Sequence, residues 1–181
     1  MAAKLTDITK YDPKSSDIFF FDNNVWMYLF CPLGNYNRSK QRCYSSFLQS
    51  ITTSRSTIFI SSMILSEFSN RNLRMDFNLW KDEAGMHSAD FKRDYVGTTR
   101  YQETVEEIKS SINNIMKLCD KTSDNFNSID LKNVFEHLSY IDFNDSYYLE
   151  LARNDKWKIV TDDSDFSKYT NHNIEILTLL N

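Results

Sequence analysis

Short apolar runs alternate along the chain with longer segments in which apolar residues recur every three or four positions. The apolar runs lie at residues 17–21, 57–60, 157–160 and 174–177. Runs without a polar alternation are typical of strands that are buried on both faces of a parallel sheet. Because helical segments separate these strands, the pattern predicts an α/β fold with a central parallel sheet flanked by helices.

The helical period predicts the segments between the strands. We expect one or two helical turns after Asn24 and a short helix that begins near Asp145, where Tyr148, Leu149 and Ala152 share one face. Ser61 or Ser62 is placed to cap a helix that carries Glu67. The remaining helices are predicted at residues 37–54, 101–118 and 131–139.

Two segments depart from this alternation. Residues 1–16 are polar with weak periodicity and are expected to form a loose N-terminal arm, so that residues 17–181 make up a single domain. Residues 70–105 are rich in charged and aromatic side chains and lack a steady period. We interpret them as a helical insertion that leaves the sheet.

Composition narrows the class of protein. Only 3 glycines and 2 prolines argue against an all-β fold, which needs many tight turns. Three widely spaced cysteines without a CxxC pair indicate a reducing compartment rather than disulfides or zinc. No apolar run is long enough to span a membrane and no signal peptide is evident, so a cytoplasmic protein without a membrane partner is expected. The net charge of −4 has the opposite sign to that of a basic nucleic-acid-binding module.

Four carboxylates occupy comparable places on the predicted elements. Asp22 follows the first strand, Glu67 lies on the helix after the second, Asp145 opens the late helix, and Asp163 follows the strand at 157–160. In a parallel sheet these positions converge on one edge. Like charges in a confined site repel each other, and a hard divalent cation such as Mg²⁺ or Mn²⁺ resolves the repulsion with oxygen ligands. This arrangement predicts the hydrolysis of a phosphodiester.

Four short motifs carry a resemblance to a known family. They are FFFDNNVW, SSMILSEF, NDSYYLELA and IVTDDSDF, and they contain the four carboxylates in chain order. In this order they resemble the acidic motifs of the PIN-domain nucleases. Within that family the resemblance is strongest to the VapC-like toxin ribonucleases of toxin–antitoxin pairs. The resemblance covers residues 17–70 and 130–180.

The resemblance implies a PIN-like fold and a metal-dependent endoribonuclease. The implied Mg²⁺ or Mn²⁺ ligands are Asp22, Glu67, Asp145 and Asp163, with Asp165 as a further ligand or a structural cap. Asn24, Ser61 and Thr161 are expected to orient these carboxylates or to cap helices. The implied partners are an RNA substrate and an antitoxin whose basic side chain enters the acidic cleft. Independently of the resemblance, the apolar faces of the early helices are consistent with a homodimer.

Basic residues are the candidates for phosphate contacts. The insertion carries Arg71, Arg74, Lys92, Arg93 and Arg100, interleaved with the aromatic residues Phe77, Trp80, Phe91, Tyr95 and Tyr101 that could stack on bases. A second basic set, near the helix at 37–54, consists of Arg38, Lys40 and Arg42. The insertion is equally consistent with a solvated helical hairpin or a dimer face.

Other interpretations of the acidic motifs stay open at this stage. Asp22 could simply cap the following helix, and Asp145 or Asp142 could interact only with the dipole at the start of the late helix. One acid of the run at 162–165 is expected to form a turn. His87, His137 and His172 show no ligand spacing. The rival functions are a silent PIN-like module that binds RNA or protein, a metal-dependent DNA nuclease, and a phosphatase. The phosphatase would need an Asp-x-Asp pair, and Asn24 stands where its second Asp would be.

Overall fold

A six-stranded parallel sheet forms the centre of the protein, in a computed structural model that describes residues 4–168 and 174–179. The strand order is β1-β6-β5-β2-β3-β4, and every pairing is parallel. The strands are β1 (Lys4–Asp7), β2 (Ile18–Phe21), β3 (Thr57–Ile60), β4 (Asp120–Lys121), β5 (Lys158–Val160) and β6 (Glu175–Thr178).

Six α-helices connect the strands. They are α1 (Asn23–Phe30), α2 (Arg38–Ser54), α3 (Ser62–Ala84), α4 (Thr99–Ile115), α5 (Leu131–His137) and α6 (Phe143–Asp155). A short π-helix (Phe91–Tyr95) lies between α3 and α4, and 3₁₀ turns span Ile8–Lys10, Phe126–Ser128 and Ser164–Lys168. The predicted α/β class, with helices flanking a parallel sheet, is confirmed.

The apolar runs form the buried middle of the sheet. In β2, Phe19, Phe20 and Phe21 are buried, and Phe20 stacks on Trp157, which directly precedes β5. Because β2 pairs with β3 on one side and β5 on the other, the ends of these three strands are neighbours. This order decides which side chains meet at the carboxyl edge.

Both edge strands were missed by the sequence pattern. The expected loose arm at residues 1–16 is wrong for Lys4–Asp7, because β1 pairs with β6 and Lys4 forms an ion pair with Glu175. At the opposite edge, β4 consists of Asp120 and Lys121, both exposed, where the sequence pattern predicted no strand. One side of an edge strand is open to solvent, so its sequence needs no apolar run. The apolar pattern therefore indicated neither β1 nor β4.

The insertion is a continuation of α3 that packs along α4. Helix α3 runs unbroken to Ala84 and ends at Gly85, whose φ of +65° lies in the left-handed region that glycine tolerates. Asp76 on α3 is buried and accepts hydrogen bonds from Tyr95, Arg100 and Thr104. This buried network joins α3, the π-helix and α4.

No helix in the described part of the chain has the length and apolar character needed to cross a membrane.

Candidate active site

The four predicted carboxylates line one cavity at the carboxyl edge of the sheet. Asp22 follows β2, Asp163 follows β5, Glu67 lies on α3 directly after β3, and Asp145 lies in the first turn of α6. The cavity measures about 280 Å³. Its lining consists of Asp22, Asn24, Tyr28, Glu67, Arg71, Asp142, Asp145, Asp162, Asp163 and Ser164. The convergence that the strand ends predict is therefore present in the structure.

Asp22 is the most buried carboxylate of this cavity, with 5% of its surface exposed. It occupies the N-cap position of α1 but its side chain makes no capping hydrogen bond. Instead, Thr161 Oγ1 donates to Asp22 Oδ2 at 2.7 Å. Burial raises the pKa of Asp22 to about 7; the Thr161 hydrogen bond opposes the rise, and the charges of Glu67 and Asp163 add to it.

Asp145 carries the most perturbed carboxyl group of the site. Burial raises its pKa to about 9, and the negative charges of Asp22, Asp142, Asp163 and Glu67 act in the same direction. Its backbone N–H donates to Asp142 Oδ1, so Asp142 is the cap of α6. The two acids of that turn therefore differ in their contacts: Asp142 caps the helix, and Asp145 lies close to the other carboxylates of the site.

Glu67 is held by three neutral donors. Asn23 Nδ2 lies 3.1 Å from Glu67 Oε1, while Asn144 Nδ2 and Tyr148 Oη each lie 3.2 Å from Oε2. Sequence reasoning missed these donors. The available signal was their position: Asn23 and Asn144 are the immediate neighbours of Asp22 and Asp145, and Tyr148 is one helical turn beyond Asp145.

Protein groups occupy the carboxylate of Asp162, the first acid of the 162–165 run. Lys40 Nζ lies 2.7 Å from Asp162 Oδ2, Tyr28 Oη donates to the same oxygen at 2.6 Å, and Tyr44 Oη donates to Oδ1 at 3.1 Å. Its charge is therefore neutralised within the protein.

Asn24 and Thr161 lie where the sequence predicted orienting groups. Asn24 Oδ1 accepts from the backbone N–H of Asp162, and its Nδ2 donates to Thr161 Oγ1, which also accepts from the N–H of Asp163. Ser61 Oγ, by contrast, is buried with no hydrogen-bond partner among the described residues, and we have no physical account of it.

Asp165 lies outside the lining of the cavity. Its backbone N–H donates to Asp163 Oδ1 at 2.8 Å, which fixes the Asp163 carboxylate. Its own carboxylate accepts from Lys168 Nζ at 2.6 Å. Of the two roles predicted for Asp165, this placement favours the structural one.

Of the five basic residues of the insertion that were predicted to bind substrate, the structure brings only Arg71 to this cavity. The Arg74 guanidinium lies 4.1 Å from the centre of the Phe91 ring, Arg93 pairs with Asp94, and Arg100 forms a bidentate contact with Asp76. Lys92 does not line the cavity. The aromatic residues of the insertion pack on one another, with Tyr95 against Phe77, Trp80, Phe91 and Tyr101.

The donor set of the cavity suits a hard cation. The described residues that line it include six carboxylates and no histidine or cysteine. Burial together with mutual repulsion raises the pKa values of Asp22 and Asp145. Within residues 4–168 and 174–179, however, no three His, Cys, Asp or Glu side chains are drawn together in a ready metal-binding geometry. Of the histidines, His87 pairs with Asp82, His137 is away from the cavity, and His172 lies outside the described residues.

The fold and the site together define an α/β protein with an acidic cavity at the carboxyl edge of a parallel sheet. The family model of the PIN domain matches residues 19–171, so the chain belongs to the PIN-domain family, as the motifs predicted. A comparison with curated protein sequences gave no match.

The fold is similar to that of a chain in the crystal structure of VapBC2 from Rickettsia felis bound to a DNA fragment from their promoter. The two chains superpose with a TM-score of 0.52 at 14% sequence identity, covering 89% of this chain and 98% of the other. At this identity the likeness concerns the fold.

Proposed function

We propose that the protein is a metal-dependent endoribonuclease that hydrolyses RNA phosphodiester bonds. The observation that carries the proposal is the meeting of Asp22, Glu67, Asp145 and Asp163 around one cavity, although they lie up to 141 residues apart in the chain. Membership of the PIN-domain family supports a nuclease over an unrelated use of the same sheet edge.

Asp22, Glu67, Asp145 and Asp163 are the residues that would hold Mg²⁺ or Mn²⁺. When bound, such an ion lowers the pKa of a water ligand and offsets negative charge on the phosphate. The surplus of carboxylates then becomes favourable, because the cation removes the repulsion that raises the pKa values of Asp22 and Asp145.

The surrounding residues position these carboxylates. Thr161 holds Asp22 through its hydroxyl, and Asn23, Asn144 and Tyr148 hold Glu67. Such supporting hydrogen bonds fix the orientation of ligands and typically matter about 10–100-fold for metal affinity or activity. Among the described residues that line the cavity, Arg71 alone is cationic and is available to the entering phosphate.

The test is cleavage of total RNA by the purified protein with Mn²⁺, with Mg²⁺ and with EDTA, followed by mapping of the cut ends. Cleavage is expected with either metal and is expected to disappear in EDTA. Asp22→Asn and Asp145→Asn should each abolish it while the protein stays folded. Asp82→Asn is the matched control, because Asp82 is an exposed acid on α3 that does not line the cavity.

Retained activity in purified Asp22→Asn or Asp145→Asn would refute the assignment. A wild-type protein that binds RNA but never cuts it would indicate a silent PIN-like module. Cleavage of DNA in preference to RNA would indicate the DNA-nuclease alternative.

We further propose an antitoxin protein as the physiological partner. The support is that the similar fold occurs in a structure of VapBC2, which is a complex. Co-expression with the product of the adjacent reading frame should yield a stable complex in which RNA cleavage is suppressed. Separate elution of the two proteins with unchanged cleavage would argue against this partner.

A further inference from the structure

A second cavity of about 420 Å³ adjoins the acidic one, and Tyr28 lines both. We call it the α2 groove, because most of its lining comes from the first turns of that helix. Its lining residues are Tyr28, Leu29, Arg38, Gln41, Arg42 and Ser45.

The two cavities carry opposite charge. Six carboxylates and one arginine line the acidic cavity, whereas two arginines and no acid line the α2 groove. Within the described part of the chain, neither Arg38 nor Arg42 pairs with a carboxylate, and both are exposed. The two lie four residues apart on one helix face, where like charges repel, so a bound anion would relieve the repulsion.

The groove is fixed to the acidic cavity by hydrogen bonds. Gln41 Nε2 donates to the backbone carbonyl of Tyr28 at 3.0 Å, and the Tyr28 hydroxyl donates to Asp162. Lys40 pairs with the same Asp162, which neighbours the predicted ligand Asp163. The position of Arg38 and Arg42 relative to the acids is therefore set by the fold.

The competing basic surface, on the insertion, is largely occupied. Arg93 pairs with Asp94, Arg100 with the buried Asp76, and Arg74 lies over Phe91. A strand of RNA on that side would compete with these internal partners. The α2 groove offers two unpaired guanidinium groups beside the site itself.

We propose that the α2 groove binds the RNA backbone next to the scissile bond, with Arg38 and Arg42 contacting phosphate and the strand passing over Tyr28. This rests on the proposed nuclease function and names the path of its substrate. Contacts of this kind position a strand without reading its bases, so the groove is expected to act independently of sequence. It also explains how a chain with a net charge of −4 holds a polyanion.

The experiment measures the affinity of a short fluorescent single-stranded RNA by anisotropy, in EDTA, over a series of salt concentrations. The variants are Arg38→Gln with Arg42→Gln, and as a control matched in charge, Lys92→Gln with Arg93→Gln on the insertion. Circular dichroism melts verify that each variant is folded. The Arg38/Arg42 variant is expected to bind about tenfold or more weakly. Its log–log salt slope should be shallower by about 0.7–1.4, the value for one or two lost phosphate contacts.

Three results would overturn the groove: wild-type protein without salt-dependent RNA binding, an Arg38/Arg42 variant that binds like wild type, or an equal loss in the Lys92/Arg93 control. Cleavage assays with Mn²⁺ run in parallel and separate the two proposals. Binding that depends on Arg38 and Arg42 without any cleavage would uphold the groove and refute the nuclease. Cleavage of RNA at wild-type KM by the Arg38/Arg42 variant would uphold the nuclease and refute the groove as its substrate path.

Discussion

The hydroxyl of Thr161 donates to Asp22 Oδ2 at 2.7 Å and joins the end of β5 to the end of β2. Thr161 Oγ1 in turn accepts hydrogen bonds from Asn24 Nδ2 and from the backbone N–H of Asp163. One side chain thus sets the position of two of the four acids.

Replacing Thr161 with valine keeps the shape of the side chain and removes these hydrogen bonds. We expect RNA cleavage and Mn²⁺ affinity to fall by about 10–100-fold, because Asp22 loses the donor that orients it. Activity assays and metal titration by calorimetry provide the measurement. Thr161→Ser restores the hydroxyl and should recover most of the loss; an equally impaired serine variant would point to a packing defect instead.

Metal-free protein should lose stability as pH rises, in part through Asp145. Its raised pKa, about 9, means that the folded state holds the proton more tightly than the unfolded chain, where a carboxyl pKa of about 4 applies. That stabilisation is complete below about pH 4 and is lost as pH rises through about 9. Asp145→Asn removes this dependence, so above about pH 4 the variant should become progressively more stable than wild type as pH rises.

Melting curves of both proteins in EDTA between acidic and alkaline pH would measure the difference. Parallel profiles would contradict the assigned electrostatics of the site. Addition of Mn²⁺ at pH 8 should then raise the melting temperature of wild type more than that of Asp145→Asn, since the variant has lost a ligand.

Arg100 is expected to matter for stability rather than for substrate binding. Arg100→Ala leaves the buried carboxylate of Asp76 without its cation, which typically costs about 3–5 kcal/mol. Burial works to raise the pKa of Asp76, but the hydrogen bonds from Arg100, Tyr95 and Thr104 outweigh it and hold that pKa below its usual value. The stability that Asp76 contributes is therefore present near neutral pH and is lost as pH falls below about 4.

Chemical denaturation of Arg100→Ala measures the change in the free energy of unfolding. The RNA affinity of the folded variant tests whether Arg100 also binds substrate. Unchanged stability together with weakened RNA binding would return Arg100 to the substrate-binding set that the sequence suggested.

Tyr148→Phe removes one of three donors to Glu67 and leaves the buried ring in place. Because Asn23 and Asn144 remain, we expect a loss in cleavage of about tenfold, at the lower end of the range for such supporting groups. A double-mutant cycle with Glu67→Gln is the measurement. If Tyr148 acts through Glu67, the two effects are not additive; full additivity would show that the hydroxyl works elsewhere.

The elements that position the site were predictable from sequence because they are buried. The run at Phe19–Phe21 has no polar residue to place on a solvent face, and an acid directly after it stands at the end of a strand. Strands β1 and β4 could not be predicted in this way, since edge strands bury too little surface to need an apolar pattern.

Side-chain partners were the unpredictable part of the site. Lys40 and Asp162 lie 122 residues apart, and nothing in either local sequence indicates that they meet. For the same reason the sequence suggested that Arg100 binds substrate. Its charge is visible in the sequence, but its contact with Asp76 on another helix is not. Tyr148 was identified as part of an apolar face, because helical spacing shows which side of α6 is buried but not what its hydroxyl touches.

The brevity of β4 has a consequence for how molecules of this protein meet one another. A strand from a second molecule that approached this edge would find only Asp120 and Lys121 as a template, both charged and exposed. Short, charged edge strands of this kind disfavour edge-to-edge pairing between the sheets of two molecules. The edge next to β3 is thus protected against amyloid-like stacking, even though the strands behind it are among the most apolar stretches of the chain.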